Sequence, residues 1–299
     1  MWLLHTKTME LKHFTNSNDI EYAILSHVWE ASDHTQTFRD IQEIHPRCTR
    51  SGEDPRSLVT EKARQFCLFA EREGYEWAWL DTGCIDKSSS AELSEAINSM
   101  FTWYTDASIC YAFLYDVSDE DDPRLPGSQF RCSKWHTRGW TLQELIAPRH
   151  VVFLSSDWHI IGSKVSFLEL LEEVTGIDQN VLAQQRGHPL GRSSVARRMS
   201  WASARQTTRV EDQAYCLLGL FGVTMPIIYG EGRRSFARLQ VEIIRNIHDQ
   251  SIFAWGVIHP SFDTARMALE HPDSRALAKY YKDGGLTNGG RKERPGEPA

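Results

Sequence analysis

The first 177 residues alternate between short apolar runs and stretches in which apolar positions recur at helical spacing. Runs that are too short for a helix and are followed at once by polar residues predict buried strands, whereas spacing of three and four predicts amphipathic helices. The predicted strands cover residues 22–26, 77–80, 109–114 and 151–154, and the predicted helices cover 59–70, 89–104, 140–146 and 165–174. This alternation is typical of a parallel sheet covered by helices on both faces.

Local signals add detail to this half of the chain. Ser89 and Glu92 have the spacing of a capping box, which predicts the start of its best-signalled helix. Residues 31–55 are polar and aperiodic, so they predict a loop, with a short helix around Phe38 to Ile41. A second loop is predicted over residues 116–128, which are acidic and rich in proline and glycine.

The pattern becomes helical after about Ile177. Helices are predicted over residues 194–201, 208–221 and 233–248, with Thr208 and Glu211 again at capping-box spacing. We expect this region to pack on the sheet rather than to fold alone. The expected organisation is one domain over residues 1–260, with an α/β core (1–177) and a helical extension (178–260), followed by a weakly structured tail (261–299).

Composition excludes several classes of protein. The formal net charge of −7 supplies no basic surface for nucleic acid. The N-terminus has no basic start with an apolar core, which a signal peptide needs, and no apolar run approaches the length of a membrane span. The six cysteines form no CxxC pair and no zinc-ligand spacing, so we expect reduced thiols, no metal and a cytoplasmic protein.

Three segments at the predicted carboxyl edge of the sheet carry polar residues that could bind a ligand or react with it. Ligands bind at this edge in open parallel sheets. Trp140 and Glu144 are four residues apart on a predicted helix, so an indole ring and a carboxylate share one face. Glu144 is the candidate catalytic residue. The candidate substrate-binding residues are Ser26, His27, Trp29, Asp81, Cys84, Asp86, Arg138 and Trp140.

Other interpretations of these residues stay open at this point. Asp81 and Asp86 also suit turns and helix caps, where aspartate is common for local reasons. Cys84 stands in a polar loop, so a nucleophile–base pair with His27 is conceivable, although no oxyanion-hole signature accompanies it. Arg138 could hold a diphosphate or pair with Glu144. A segment from Tyr229 onward lacks the Walker lysine spacing and predicts a turn before a helix.

Several long segments resemble the fungal heterokaryon-incompatibility (HET) domain. The three hallmark blocks are matched by Tyr22–Trp29, Trp79–Lys87 and Arg138–Leu145. Later segments that resemble the family, in matching order, are Met199–Ala202, Glu211–Gly219 and Tyr229–Gly232. The resemblance covers roughly the first 255 residues and implies a role in programmed cell death and fungal innate immunity.

A second resemblance lies within the first. The order of strands, helices and polar residues is similar to that of a Toll/interleukin receptor (TIR) domain, whose Trp-x-x-x-Glu-Leu signature is reproduced by Trp140, Glu144 and Leu145. The resemblance implies a flavodoxin-like parallel sheet flanked by helices, and Glu144 as the catalytic residue of NAD hydrolysis. It also implies NAD or a related nucleotide as the substrate, with no cofactor, and a homo-oligomer.

Two alternatives to this enzyme remain. The first is a TIR-like adaptor without catalytic activity, which would signal death by assembling with itself or with a receptor or incompatibility partner. The second is a hydrolase that depends on Cys84. No membrane or nucleic-acid partner is expected in any of the three cases.

Overall fold

The strands in a computed structural model of the chain form one mixed sheet; the structure describes residues 1–29, 36–184 and 190–254. The strands are β1 (Trp2–His5), β2 (Leu11–His13), β3 (Tyr22–His27), β4 (Trp77–Trp79), β5 (Ile109–Phe113), β6 (Val151–Leu154) and β7 (Ile160–Ser163).

The helices are α1 (Phe38–Ser51), α2 (Glu61–Arg72), α3 (Ser90–Asp106), α4 (Gln129–Cys132), α5 (Thr141–Ile146), α6 (Leu168–Thr175), α7 (Gln179–Leu182), α8 (Val195–Ala202), α9 (Asp212–Tyr215), α10 (Leu218–Phe221) and α11 (Arg234–Asn246). Short 3₁₀ segments cover Ser17–Asp19, Pro55–Leu58, Lys134–Thr137, Leu190–Arg192 and Gln250–Phe253.

The sheet has the strand order β2-β1-β4-β3-β5-β6-β7. Strands β4, β3, β5 and β6 pair in parallel, whereas β1, β2 and β7 pair antiparallel at the two edges. Taken in chain order, the four parallel strands lie as second, first, third and fourth, which is the flavodoxin-like order of doubly wound sheets. The predicted α/β fold is therefore confirmed, and the strand order reverses between β3 and β5.

Helices cover both faces of the parallel strands because the side chains of each strand alternate between the faces. On one face, the Trp79 indole packs edge-on against Trp103 of α3, and Tyr22 donates a hydrogen bond to the Trp103 carbonyl oxygen at 2.5 Å. On the other face, Tyr111 of β5 contacts Phe69 of α2 with 4.9 Å between ring centroids. All four parallel strands are consequently almost entirely buried.

The prediction of a loop over residues 31–55, with a short helix around Phe38 to Ile41, gave too short a helix for the described part of that range. Helix α1 occupies Phe38–Ser51, and Pro46 lies inside it. Thr37 and Asp40 form a complete capping box at its start, and Gly52 ends it in the left-handed conformation with a φ of 75°. The apolar positions of α1 are buried, so packing stabilises a helix that is longer than the short one predicted.

The predicted helix over residues 208–221 is also wrong, because the structure has two short helices there, α9 and α10. Thr208 does not cap α9. The Glu211 carboxylate instead accepts hydrogen bonds from the backbone amides of Gly230 and Gly232, at 2.8 and 3.0 Å. The side chain that was expected to start a helix therefore holds a distant turn.

Met1–Ile252 form one compact unit. Within it, the helical extension joins the segment before α5 through backbone hydrogen bonds from Gly139 to Gln206 and from Gln206 to Thr137, both at 2.7 Å. The expected domain boundaries at 177 and 260 stay predictions, and the tail over 261–299 lies outside the described residues. All six cysteines carry free thiols. Among the helices that the structure describes, none is long and apolar enough to cross a bilayer.

Candidate functional site

A cleft of about 330 Å³ lies at the carboxyl edge of the parallel strands, beside the point where the strand order reverses. The ends of β3 and β4, the inner face of α3, helix α5 and the helical extension all contribute to its wall. The chemically active side chains that line it are His27, Trp29, Asp81, Lys87, Tyr104, Arg138, Trp140, Glu144, Arg209, Asp212 and Tyr229.

Glu144 lies on α5 at the bottom of this cleft and is only 7% exposed. Ser26, on the face of β3 that meets α5, donates a short hydrogen bond to the Glu144 carboxyl group. The Ser26 oxygen in turn accepts a hydrogen bond from the Trp135 indole N–H at 2.8 Å. These buried contacts hold the carboxyl group in one orientation between the sheet and the cleft.

Burial raises the pKa of Glu144 to about 7, because desolvation disfavours the charged form. The hydrogen bond from Ser26 and the positive charge of Arg138 act in the opposite direction, while the negative charge of Asp81 raises the pKa further. The Tyr104 hydroxyl beside the cleft donates its proton to the Leu25 carbonyl oxygen, at 2.9 Å. Glu144 can therefore exchange a proton near neutral pH, which is a property of functional carboxyl groups.

Asp81 organises the other side of the cleft. Its carboxylate accepts a hydrogen bond from the Trp29 indole N–H at 3.0 Å and lies 3.3 Å from Nε2 of His27. The ammonium group of Lys87 lies over the Trp29 ring, 3.9 Å from its centroid. This side of the cleft thus brings together the Asp81 carboxylate, the rings of Trp29 and His27, and the Lys87 ammonium group.

The helical extension supplies the opposite wall, which the sequence analysis did not predict. The Tyr229 hydroxyl donates to the Asp212 carboxylate at 2.9 Å, and the Arg209 guanidinium lies 4.3 Å from the centroid of the Tyr229 ring. Burial raises the pKa of Asp212, and hydrogen bonds from Tyr229 and Trp140 oppose that effect. The segments that carry Asp212 and Tyr229 had been matched to the family, but nothing local indicated that they face Glu144.

Arg205 fastens the extension to the helix that carries Glu144. Its guanidinium donates to the Arg138 carbonyl oxygen and to the Thr141 hydroxyl, both at 2.9 Å. Burial lowers the pKa of Arg205 to about 10, so it remains a cation at neutral pH. A buried arginine with these acceptors fixes the first turn of α5.

The structure brings six of the nine candidate residues together in the cleft, namely His27, Trp29, Asp81, Arg138, Trp140 and Glu144. Ser26 lies behind the cleft wall, where it contacts Glu144. Asp86 lines a neighbouring cavity, and its carboxylate accepts hydrogen bonds from the Ser88 amide and hydroxyl.

Cys84 lies in the loop after β4, as predicted, but its side chain turns into the core and does not line the cleft. Its side chain is 2% exposed, and the thiol lies 3.9 Å from the Ala78 carbonyl oxygen. Burial raises the pKa of Cys84 to about 12, so the thiolate that a nucleophile requires is scarce at neutral pH. The geometry therefore gives no support to a hydrolase based on Cys84.

The described residues contain no group of three or more histidine, cysteine or acidic side chains placed to hold a metal ion. What the cleft offers instead is a buried carboxyl group, aromatic walls, and the three cations Lys87, Arg138 and Arg209. This combination suits a ligand that has a planar ring, hydroxyl groups and negative charge.

The chain is similar to known proteins over most of its length. The family model for the heterokaryon incompatibility protein (HET) matches residues 22–131, and a model for a domain of unknown function (DUF8212) matches residues 234–283. The vegetative incompatibility protein HET-E-1 of Podospora anserina is 45% identical over 228 residues, which cover 74% of this chain but only 16% of that protein. No solved structure matches the chain significantly.

Proposed function

Since this chain belongs to the heterokaryon-incompatibility (HET) domain family, we propose that it acts in heterokaryon incompatibility as a cell-death effector that cleaves NAD at the nicotinamide–ribose bond. The observation that carries the proposal is the buried Glu144 carboxyl group at the bottom of a cleft lined by aromatic rings and cations. The activity belongs to self-associated copies of the domain.

The cleft suits the nicotinamide riboside part of NAD in three respects. Trp140 offers an indole face for the cationic pyridinium ring, in the same cleft as Glu144. Arg138 and Arg209 supply positive charge for the phosphate groups. Asp81 and Glu144 are acceptors for ribose hydroxyl groups, which both donate and accept hydrogen bonds.

Glu144 has a defined role in this reaction. The bond between C1′ of the ribose and the pyridinium nitrogen breaks, and nicotinamide leaves as a neutral molecule with the bonding electron pair. The ribosyl cation that develops is stabilised by the Glu144 carboxylate, and water then adds to C1′ and releases a proton. Because the leaving group is already cationic, no general acid is required.

The test is nicotinamide release from NAD by the purified chain, with its self-association followed in the same samples. We expect Glu144→Gln to lower kcat by at least about 100-fold, since the substitution removes the negative charge that faces the ribosyl cation. The matched control is Glu173→Gln, because Glu173 is a surface glutamate whose side chain is 62% exposed. Unchanged release in Glu144→Gln would contradict the assignment.

A second function is favoured by one observation. Glu144 is 7% exposed and already hydrogen-bonded to Ser26, which also fits a purely structural glutamate in an adaptor that signals by homotypic assembly. The adaptor predicts no nicotinamide release at any concentration. It also predicts that cell killing survives Glu144→Gln and fails when surface residues of the helices are changed.

A further inference from the structure

A second cavity of about 300 Å³ adjoins the cleft at the same edge of the sheet. Trp29, Ile85 and Lys87 line both spaces, so these three side chains form a shared wall. The far side of the second cavity is formed by the start of α1, with Phe38 and Arg39, and by the loop after β4. None of its chemistry is used by the cleavage reaction described above.

We propose that this second cavity binds the adenosine monophosphate half of a dinucleotide whose nicotinamide half occupies the cleft. The inference rests on the proposed function and deepens it, because it assigns a separate cavity to the half of NAD that does not react. The diphosphate crosses the shared wall at Lys87.

Size is the first argument. Small-molecule sites usually measure about 300–1,000 Å³, and the cleft is close to the lower end of that range. It suits one nucleoside half of a dinucleotide but not both. The second cavity is nearly equal in volume, so the two together match a ligand made of two similar halves.

The charge on the shared wall is the second argument. Lys87 is held over the Trp29 ring, and the Trp29 indole is tied to Asp81 by its N–H group. A cation fixed between two cavities is placed to neutralise a diphosphate that links their occupants. Arg39 adds a second cation on the far side and lies close enough to Asp86 to lower the pKa of that carboxyl group, although hydrogen bonds from Ser88 contribute more to that shift.

The third argument comes from the fold. The cleft opens against α3, which follows β4, whereas the second cavity opens against α1, which follows β3. Doubly wound sheets bind nucleotides at this edge, in the crevice where the strand order reverses. Phe38, which is 7% exposed, supplies a small apolar surface for a base, and Thr37, Asp86 and Ser88 supply polar groups for a ribose.

The experiment compares NAD with nicotinamide mononucleotide, which contains the same scissile bond but lacks the adenosine monophosphate half. We expect kcat/KM to be at least about tenfold higher for NAD. Arg39→Glu should lower kcat/KM for NAD about tenfold, because the new carboxylate repels phosphate, and should leave the mononucleotide within about twofold. Arg47→Glu, on the same helix with a side chain that is 59% exposed, is the matched control.

A binding arm separates this inference from the proposed function. Calorimetry with the Glu144→Gln protein measures the affinity for NAD and for the mononucleotide without turnover. Selective NAD binding that is weakened by Arg39→Glu, without any nicotinamide release by the unmodified chain, would support the second cavity and contradict the cleavage activity. If both substrates are cleaved with equal efficiency and Arg39→Glu has no effect, the proposed role of the second cavity is wrong but the cleavage activity is not contradicted. Failure of both ligands to bind would contradict the second cavity and the cleavage activity alike.

Discussion

The candidate catalytic carboxyl group is placed in an environment that opposes its ionisation. Glu144 is almost fully buried, and the hydrogen bond from Ser26 and the charge of Arg138 offset only part of the cost of burying the carboxylate. A carboxyl group whose pKa is raised by burial beside a cleft is a candidate functional group.

This environment makes the stability of the protein depend on pH. Glu144 has a pKa of about 7 in the folded chain and an ordinary value of 4.5, so between these values the folded state keeps a proton that the unfolded state has released. Stability consequently falls as pH rises through this window. The full shift corresponds to about 3 kcal/mol.

Glu144→Gln removes this dependence, because the amide does not titrate. We expect the free energy of unfolding of the variant, relative to the unmodified chain, to increase by about 2–3 kcal/mol between pH 5 and pH 8. Urea unfolding at both pH values measures it. Glu173→Gln is the surface control and should show little change. An equal difference for Glu144→Gln at the two pH values would show that the carboxyl group is not desolvated.

At the scale of elements, the helix that carries Glu144 depends on its neighbours. Helix α5 has only six residues and no side-chain cap at its start. After its last turn, Lys164 donates to the carbonyl oxygens of Leu145 and Pro148, the first at 3.1 Å. Gln184 donates to the carbonyl oxygens of Ile146 and Ala147, both at 2.8 Å. Two distant side chains thus satisfy carbonyl groups that the end of a helix leaves without partners.

Lys164→Met tests this arrangement, because methionine keeps an apolar stem of similar length but donates no hydrogen bond. The variant leaves the buried Leu145 carbonyl without its lysine donor, so we expect it to lose about 1–3 kcal/mol of stability. Nicotinamide release should also fall, since Leu145 follows Glu144 directly. Lys7→Met is the control, because Lys7 is exposed. Stability within about 0.5 kcal/mol of the unmodified chain would contradict the capping role.

The sequence pattern predicted the elements that are buried on both faces. It missed elements that are stabilised by contacts with other parts of the chain and not by local signals. Strand β3 and helix α3 were predicted because an apolar run and a Ser89 cap are local signals. Strand β7 was missed because its burial pattern is mixed and exposed, as expected at an edge. Helix α1 was predicted only over its first residues because the segment is polar and aperiodic, and burial of its apolar face stabilises the full helix.

At the scale of the whole molecule, the site joins regions that are far apart in the chain. The candidates His27, Asp81 and Glu144 could be found because the carboxyl ends of parallel strands meet at one edge. Arg209 and Tyr229 could not be found, because their place opposite Glu144 depends on how the helical extension docks. Long-range docking leaves no periodic signal in a single sequence.

One close approach in this docking is at a glycine. A Cβ atom at Gly139 would lie 2.5 Å from the Cγ2 methyl group of Thr207 and 3.2 Å from the sulfur of Cys216. Gly139 directly precedes Trp140, and its amide is bonded to Gln206 of the extension. A side chain at this position would therefore push the extension away from the segment that leads into α5.

We expect Gly139→Ala to cost about 1–3 kcal/mol of stability and to lower nicotinamide release, because the wall with Arg209 and Tyr229 moves. Thr207→Ser is the compensating change, since it removes the methyl group while retaining the hydroxyl that donates to the Arg209 carbonyl oxygen at 2.7 Å. Alone it should be nearly neutral, and in the double variant it should recover at least half of the lost stability. If the stability losses of the two single variants simply add in the double variant, Gly139→Ala acts on the local backbone and not on the docking of the extension. Recovery of stability and nicotinamide release together would show that the Glu144 carboxyl group and the helical wall form one site.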